Sequence, residues 1–246
     1  MKWPAYSLSL VAFASVALIG ASQPDPISNV QKVIVDGIHM RVIEVNLADP
    51  RVHIGVETAT GFPRGSEAFG TLAKRVHAIV AIDGGYFSKK TFLPIGDIVV
   101  GGKLVYQGMM GTALAITRDN DVTIRRVNRN HAEDWAGYET VLGCGPALVL
   151  DRRIDVDPVG EHFHDPHVMH STRRMGVALL LNRKMALIMT DDPVTFRQWA
   201  RVMYDFGATD AMNLDAGASM GMYVRGKTIV VPSRRITNIL AVYTDR

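Results

Sequence analysis

Apolar positions along this chain come in short runs broken by tight-turn dipeptides, a pattern of strands joined into hairpins. Lys32 to Val35 and Ile38 to Val45 flank Asp36-Gly37, a strong local hairpin signal. Ile98 to Val100 and Lys103 to Tyr106 flank Gly101-Gly102 in the same way. Leu114 to Thr117 and Val122 to Val127 are separated by Arg118 to Asp121, and Val177 to Leu181 and Met185 to Thr190 flank Asn182-Arg183-Lys184. Two stretches carry helical spacing instead. Ser66 is placed to cap a helix through His77, with Phe69, Leu72, Ala73 and Val76 on one stripe. In the second, Asp192 caps, Pro193 takes the first turn, and Phe196, Trp199, Ala200, Met203 and Phe206 recur before Gly207 ends it. The pattern predicts an α+β fold: one strand-rich domain over residues 27–246, with mixed sheets of hairpins and a few packed helices.

Composition narrows the setting. Residues 1–22 carry one charge, Lys2, then an apolar run from Leu8 to Ile19 and the small residues Gly20, Ala21 and Ser22. That order is the layout of a secretory signal peptide, so the protein is expected to be exported, periplasmic or extracellular. An uncleaved anchor is the competing reading of the same stretch. Beyond the leader nothing suggests a membrane. The formal charge of +3 is small and scattered, which argues against a nucleic-acid partner. Cys144 is the only cysteine, so packing rather than intramolecular disulfides must stabilise the fold. Between Gly143 and Gly145-Pro146 it reads as a small turn residue rather than a nucleophile.

Candidate chemistry concentrates in three places. Two acidic, glycine-bearing segments, Asp83-Gly84-Gly85-Tyr86-Phe87 and Asn213-Leu214-Asp215-Ala216-Gly217-Ala218-Ser219, each follow a predicted helix and a short strand. Such junctions let backbone N–H groups approach a ligand while the carboxylate points into the opening. Arg173 and Arg174 precede the strand beginning near Val177, where an arginine can clamp a phosphate in bidentate fashion. His162, His164, Asp165, His167 and His170 crowd an irregular loop also marked by Asp157-Pro158 and Asp165-Pro166. Their spacing matches no established zinc pattern, so the loop reads as an active-site lid or surface loop, with no metal or other cofactor assigned.

Six of these segments, taken in order, resemble the phosphodiester glycosidase family, which includes the enzyme that removes N-acetylglucosamine from a phosphodiester on mannose, and exopolysaccharide-associated bacterial relatives. They are Asp83 to Phe87, Pro94-Ile95-Gly96-Asp97 with the Gly101-Gly102 turn, Cys144 to Val149, Arg174 to Ala178, Leu214 to Ser219, and Thr237-Asn238-Ile239-Leu240. The resemblance implies hydrolysis of the C1–O bond of a sugar 1-phosphodiester of the N-acetylglucosamine-1-phosphate type in cell-envelope or extracellular glycans, with a sugar-phosphate or glycan as partner. Asp215 is expected to act as nucleophile or as base for water, with Asp83 as its partner carboxylate or an acid. Arg174 and the Gly84 and Gly85 N–H groups are expected to hold the phosphate. Gly217, Ser219, Asn238, His164 and His167 complete the expected substrate contacts.

The chain departs from the family pattern at Asp83, where asparagine is usual, and at Ala178, Ala216 and Ala218, where glycines are usual. Where such a position needs positive φ, alanine reshapes the loop. The bland alternative for Asp215 is a turn cap, with Ser219 helping. Two other readings of the chain stand beside the hydrolase: one, supported by the alanine substitutions, is a non-catalytic glycan-binding or exopolysaccharide-assembly protein that keeps the fold without turnover. The other is a metal-dependent hydrolase built on the histidine loop.

Overall fold

The computed structural model describes residues 23–109, 111–127 and 132–245. The leader of residues 1–22 lies outside them. All four hairpins form where the turn residues place them. Asp36 and Gly37 both take positive φ, as do Gly101 and Gly102, the backbone that a two-residue hairpin turn needs.

The hairpins assemble into three sheets. The largest runs, edge to edge, through Gln31–Val35, Ile38–Asn46, Lys184–Thr190, Met175–Leu180, Asp210–Leu214, Ala147–Leu150 and Arg153–Ile154. A second holds Lys227–Val230, Met222–Val224, Val80–Asp83, Asn238–Thr244 and Val52–Thr58. The third holds Lys103–Tyr106, Ile98–Val100, Tyr138–Cys144, Thr112–Thr117 and Val122–Arg126. Every pairing among these strands is antiparallel, so the expectation of mixed sheets is corrected and the fold is mostly β.

The three sheets share one core. Alternate residues such as Leu187, Val177 and Met212 from the first, Ile82 and Leu240 from the second, and Leu114 and Leu142 from the third meet there. The opposite faces are also covered, which is why the central strands read as continuous apolar runs rather than alternating ones. Helix Phe196–Asp205 packs Trp199 and Met203 onto the first sheet with Ala178 and Ala211, and helix Phe69–Arg75 packs Phe69 and Leu72 onto the second with Ala241. Trp135 covers the third beside Val99 and Val141. None of the described helices is long and apolar enough to cross a membrane.

Both helices start later than their sequence signals suggest. Thr195, not Asp192, caps the second: its hydroxyl accepts from Gln198 N–H while the Gln198 side chain accepts from Thr195 N–H. Asp192 is drawn away to the His39 backbone N–H, 2.8 Å from Oδ2. Pro193 therefore precedes the helix rather than opening it, whereas Gly207, at φ +102°, ends it as expected. The first helix begins at Phe69 after Ala68, with no side-chain cap, and ends at Arg75. Ser66 instead receives the Arg235 guanidinium on its carbonyl.

The two helices belong to crossovers built alike. Val52–Thr58, helix Phe69–Arg75 and Val80–Asp83 form a strand–helix–strand unit whose strands are separated by one inserted antiparallel strand, Asn238–Thr244. Lys184–Thr190, helix Phe196–Asp205 and Asp210–Leu214 repeat the arrangement around Met175–Leu180. In each, the acidic segment leaves the second strand at the end where the inserted strand begins: Asp83 pairs with Ile239, and Leu214 with Met175. Asp83 thus shares a corner with Asn238, and Asp215 shares one with Arg174. The Asp215 N–H donates to the Gly84 carbonyl at 3.0 Å and joins the two corners. Replacing Thr195 by alanine is expected to cost about 1 kcal/mol of folding stability by loss of the capping box. Urea denaturation followed by far-ultraviolet circular dichroism reads this directly, and an unchanged midpoint would contradict the capping assignment.

Candidate active site

The corner that joins Arg174 and Asp215 opens into a cleft of about 620 Å³, walled by Tyr86, Phe163, His164, His167 and Gly217. Arg174 is 1% exposed, yet among the described residues no carboxylate pairs with it. Its Nε donates to the Val194 carbonyl at 3.1 Å, and its Nη2 donates to the carbonyls of Val168 and His170, both at 2.9 Å. The guanidinium carbon lies 3.6 Å from the centroid of Phe196. Nη1 has no hydrogen-bond partner among the described residues. Burial lowers the Arg174 pKa to about 10, so the group stays charged at neutral pH. Three carbonyls and a ring orient this cation without neutralising it.

The histidine loop supplies part of that cradle. Asp165 caps the short helix Pro166–Met169 by accepting from His167 N–H at 2.9 Å, and the helix presents the Val168 and His170 carbonyls to Arg174. Phe163 fastens the loop between Tyr86 and Phe196, with ring centroids at 5.6 and 6.2 Å. His162, His164 and His167 line the cleft. Among the described residues no group of three His, Cys, Asp or Glu side chains lies close enough to hold a metal ion.

Two carboxylates line the cleft, the exposed Asp165 that caps the short helix and the buried Asp215. Asp215 is 8% exposed, and burial raises its pKa to about 6 against the pull of Ser219, Arg234, the Ala216 N–H and Lys89. Its Oδ1 accepts from Ala216 N–H at 2.8 Å, so the turn-capping role exists alongside its place on the cleft wall. Ser219 is fully buried and lies close enough to influence Asp215, yet its hydroxyl has no well-formed hydrogen bond. The departures in this segment prove mild. Ala216, at φ −148°, is extended, and Ala218 sits in the 3₁₀ turn Gly217–Ser219 without positive φ. Only Gly217, at φ +57°, needs the left-handed region, and glycine is retained there.

The other acidic segment takes a different part. Asp83 is 1% exposed and does not line the cleft, and its Oδ2 has no partner. Burial and then Asp215 push its pKa well above the carboxylate range. Gly84 N–H donates to the Asn238 carbonyl at 3.3 Å, and Gly85 N–H to Asn238 Oδ1 at 2.7 Å. A Cβ on Gly84 would lie 2.1 Å from Asn238 Oδ1, so glycine is required for this close approach. The two N–H groups assigned to the phosphate are therefore committed within the fold, and Asn238 is the clamp that holds them rather than a cleft contact. Cys144 is equally withdrawn: it ends a strand, fully buried, with its thiol pKa pushed far up by desolvation.

Several groups went unassigned in the sequence. Tyr86 lies against the site with its hydroxyl accepting from Asn213 Nδ2 at 2.8 Å, and it senses both Asp215 and Arg174. Its place in the Asp-Gly-Gly-Tyr-Phe segment was a usable signal. Asn213 is fully buried with Oδ1 unpartnered. Arg234 and Lys89 line the cleft from irregular segments that carry no pattern. Unpartnered buried atoms on Asp83, Asn213, Ser219 and Arg234 thus gather around one carboxylate, a concentration that calls for an explanation.

A family model described as phosphodiester glycosidase matches residues 77–243. Among solved structures, a hypothetical protein from Synechocystis aligns with a TM-score of 0.75 at 16% identity, covering 88% of this chain and 61% of the other. This chain therefore spans less than two thirds of that protein's length. The catalytic domain of zebrafish N-acetylglucosamine-1-phosphodiester alpha-N-acetylglucosaminidase, auto-inhibited by its pro-peptide, aligns with a TM-score of 0.72 at 19% identity, covering 92% of this chain and 86% of the other. At these identities the likeness is one of fold. None of the curated proteins matches the chain.

The buried Asp83 carboxyl generates a stability prediction. With its folded pKa raised, the stability it contributes is complete below the unfolded value of about 4 and is lost as pH rises towards the folded value. Asp83→Asn removes this dependence. Urea denaturation should find the variant more stable than the parent at pH 8, with the gap closing as pH approaches 4. A parent that is the more stable protein at pH 8 would contradict the burial argument.

Proposed function

The chain belongs to the phosphodiester glycosidase family, and on that premise we propose that it is a hydrolase that cleaves the C1–O bond of a sugar 1-phosphodiester in cell-envelope or extracellular glycans. The observation that carries this reading is the buried, uncompensated Arg174 guanidinium facing the same cleft as Asp215. A buried charge without a partner is costly, and an anionic ligand offsets that cost when bound.

The roles follow from the positions. Arg174 holds the phosphate, with Nη1 turned to the ligand and Tyr86 beside it. As the C1–O bond breaks, its electron pair moves to the phosphate, and the growing charge meets a cation already in place. A phosphate leaves as a weak base and needs little proton donation, which suits a cleft that Asp83 does not enter. Asp215, ionised above about pH 6, takes a proton from the water whose oxygen bonds to C1. The products are the free sugar and a phosphate monoester, and Asp215 returns its proton to solvent. Delivery to the envelope rests on the apolar leader of residues 1–22.

The binding-protein reading drew its support from Ala216 and Ala218, and their ordinary backbone angles leave it without that feature.

Two outcomes test the roles. Asp215→Asn is expected to lower kcat/KM on a sugar 1-phosphodiester by at least about 10³-fold without loss of folding, and the parent's kcat/KM should fall as pH drops through about 6. An active variant, or a profile flat between pH 5 and pH 8, would refute the role of Asp215. Arg174→Lys keeps the charge but loses the planar fork, and a kcat loss of about 10²-fold is expected. Retention of parental kcat in that variant would remove Arg174 from the phosphate.

A further inference from the structure

A second basic group continues the cleft. Past Phe87, Lys89 and Arg234 the opening runs into an annex of about 410 Å³ that also involves Phe92 and Arg235. The annex shares no wall with Arg174 or with the histidine loop, and no acidic side chain lines it. Lys89 makes no hydrogen bond or ion pair among the described residues. Arg234 has a buried Nε without a partner, and Arg235 is bound only to the Ser66 carbonyl and hydroxyl.

The annex has an aromatic wall set by unusual backbone. Phe92 takes φ +59°, a genuine outlier for a bulky residue. The turn from Ser88 to Leu93 holds it there, with Ser88 N–H donating to the Leu93 carbonyl at 2.9 Å and Phe92 N–H to the Ser88 carbonyl at 2.8 Å. In this position Phe92 stacks on the buried Phe87 at 6.2 Å and 19° between planes. Strain of this kind points to a function for the side chain it aims. A half-buried aromatic face is a surface for the C–H face of a sugar ring.

Charge then identifies the sugar. A phosphodiester brings one negative charge, which Arg174 takes. Lys89, Arg234 and Arg235 remain, and the only acidic side chains of the neighbouring cleft among the described residues are Asp215 and, on the histidine loop away from the annex, Asp165. Lys89 and Arg234 wall both the cleft that holds Asp215 and the annex, whereas neither Arg174 nor the histidine loop that cradles it reaches the annex, which sets the second basic group on the sugar side of C1 rather than beyond the phosphate. We infer that the annex receives an anionic sugar, a hexuronic acid or an equivalent acidic residue, stacked on Phe92 with its charged group met by Lys89, Arg234 and Arg235. The inference rests on the hydrolase reading for the position of C1, and it replaces the neutral N-acetylglucosamine that the family resemblance implies.

Calorimetric binding of glucuronic acid 1-phosphate and glucose 1-phosphate tests it without turnover. The parent protein should bind the uronate about tenfold more tightly. Lys89→Ala, a change at an exposed side chain with no hydrogen bond to lose, should shrink that preference to about threefold or less. Equal affinities, or a preference unchanged in Lys89→Ala, would overturn the proposal. So would a neutral sugar carrying a second phosphate in its leaving group, such as glucose 1-diphosphate, binding more tightly than the uronate, because it would place the annex beyond the scissile bond. A uronate preference in a protein that turns over no phosphodiester leaves this inference standing and retracts the hydrolase reading alone.

Discussion

Arg174 brings a full positive charge into the protein, and only three carbonyls and one aromatic face are there to hold it. Much of the surrounding structure is arranged by that requirement. Phe196, which carries the ring, is the first residue of the helix that Thr195 caps, so the helix start fixes the stacking partner. The short helix at Pro166–Met169 exists where its last carbonyls can reach the guanidinium, and Phe163 pins that loop to Tyr86 on the opposite wall. The inserted strand Met175–Leu180 starts one residue beyond Arg174 and pairs with the strand that ends at Leu214, which places Asp215 at the same corner. Loss of any of these supports would loosen the cation rather than remove it.

The two acidic segments look alike in sequence and sit on equivalent corners of like-built crossovers, yet they divide the work. At one corner Asn238 saturates the Gly84 and Gly85 N–H groups, and Asp83 is buried with its pKa raised by desolvation and then by Asp215. At the other, the inserted strand is preceded by arginine, and the carboxylate keeps a path to the cleft. The bond from Asp215 N–H to the Gly84 carbonyl makes the first corner a support for the second. Desolvation acts on both carboxyls, but Arg234, Lys89 and Ser219 hold Asp215 near neutrality while Asp83 has weaker help. That difference suits Asp215 to the proposed role of proton acceptor and leaves Asp83 within the fold.

Much of this was legible in the chain. Hairpins were readable because their signals are local: Asp36-Gly37 and Gly101-Gly102 fix the turn whatever surrounds them. Helix stripes were readable for the same reason, although the caps were misplaced because Asp192 is claimed by His39, a partner 153 residues away. The insertion of Met175–Leu180 and Asn238–Thr244 inside the crossovers could not be read, since it depends on pairings between distant strands. Asp215 and Arg174, singled out by residue type and position, line one cleft. The roles of Gly84, Gly85 and Asn238 were misjudged because backbone N–H groups beside glycine advertise a ligand equally well when a buried asparagine already occupies them. Lys89 and Arg234 reach the cleft, and Phe92 its annex, only through tertiary approach, and no periodicity marks them.

In the proposed reaction, charge builds on a phosphate held by Arg174 while water meets C1 beside Asp215. Turnover of a sugar 1-phosphodiester in ¹⁸O-labelled water reads this most directly by mass spectrometry of the products. The label is expected in the hydroxyl at C1 of the free sugar, with none in the phosphate monoester. Label in the phosphate would mean that water attacked phosphorus, and it would contradict the assignment of both residues.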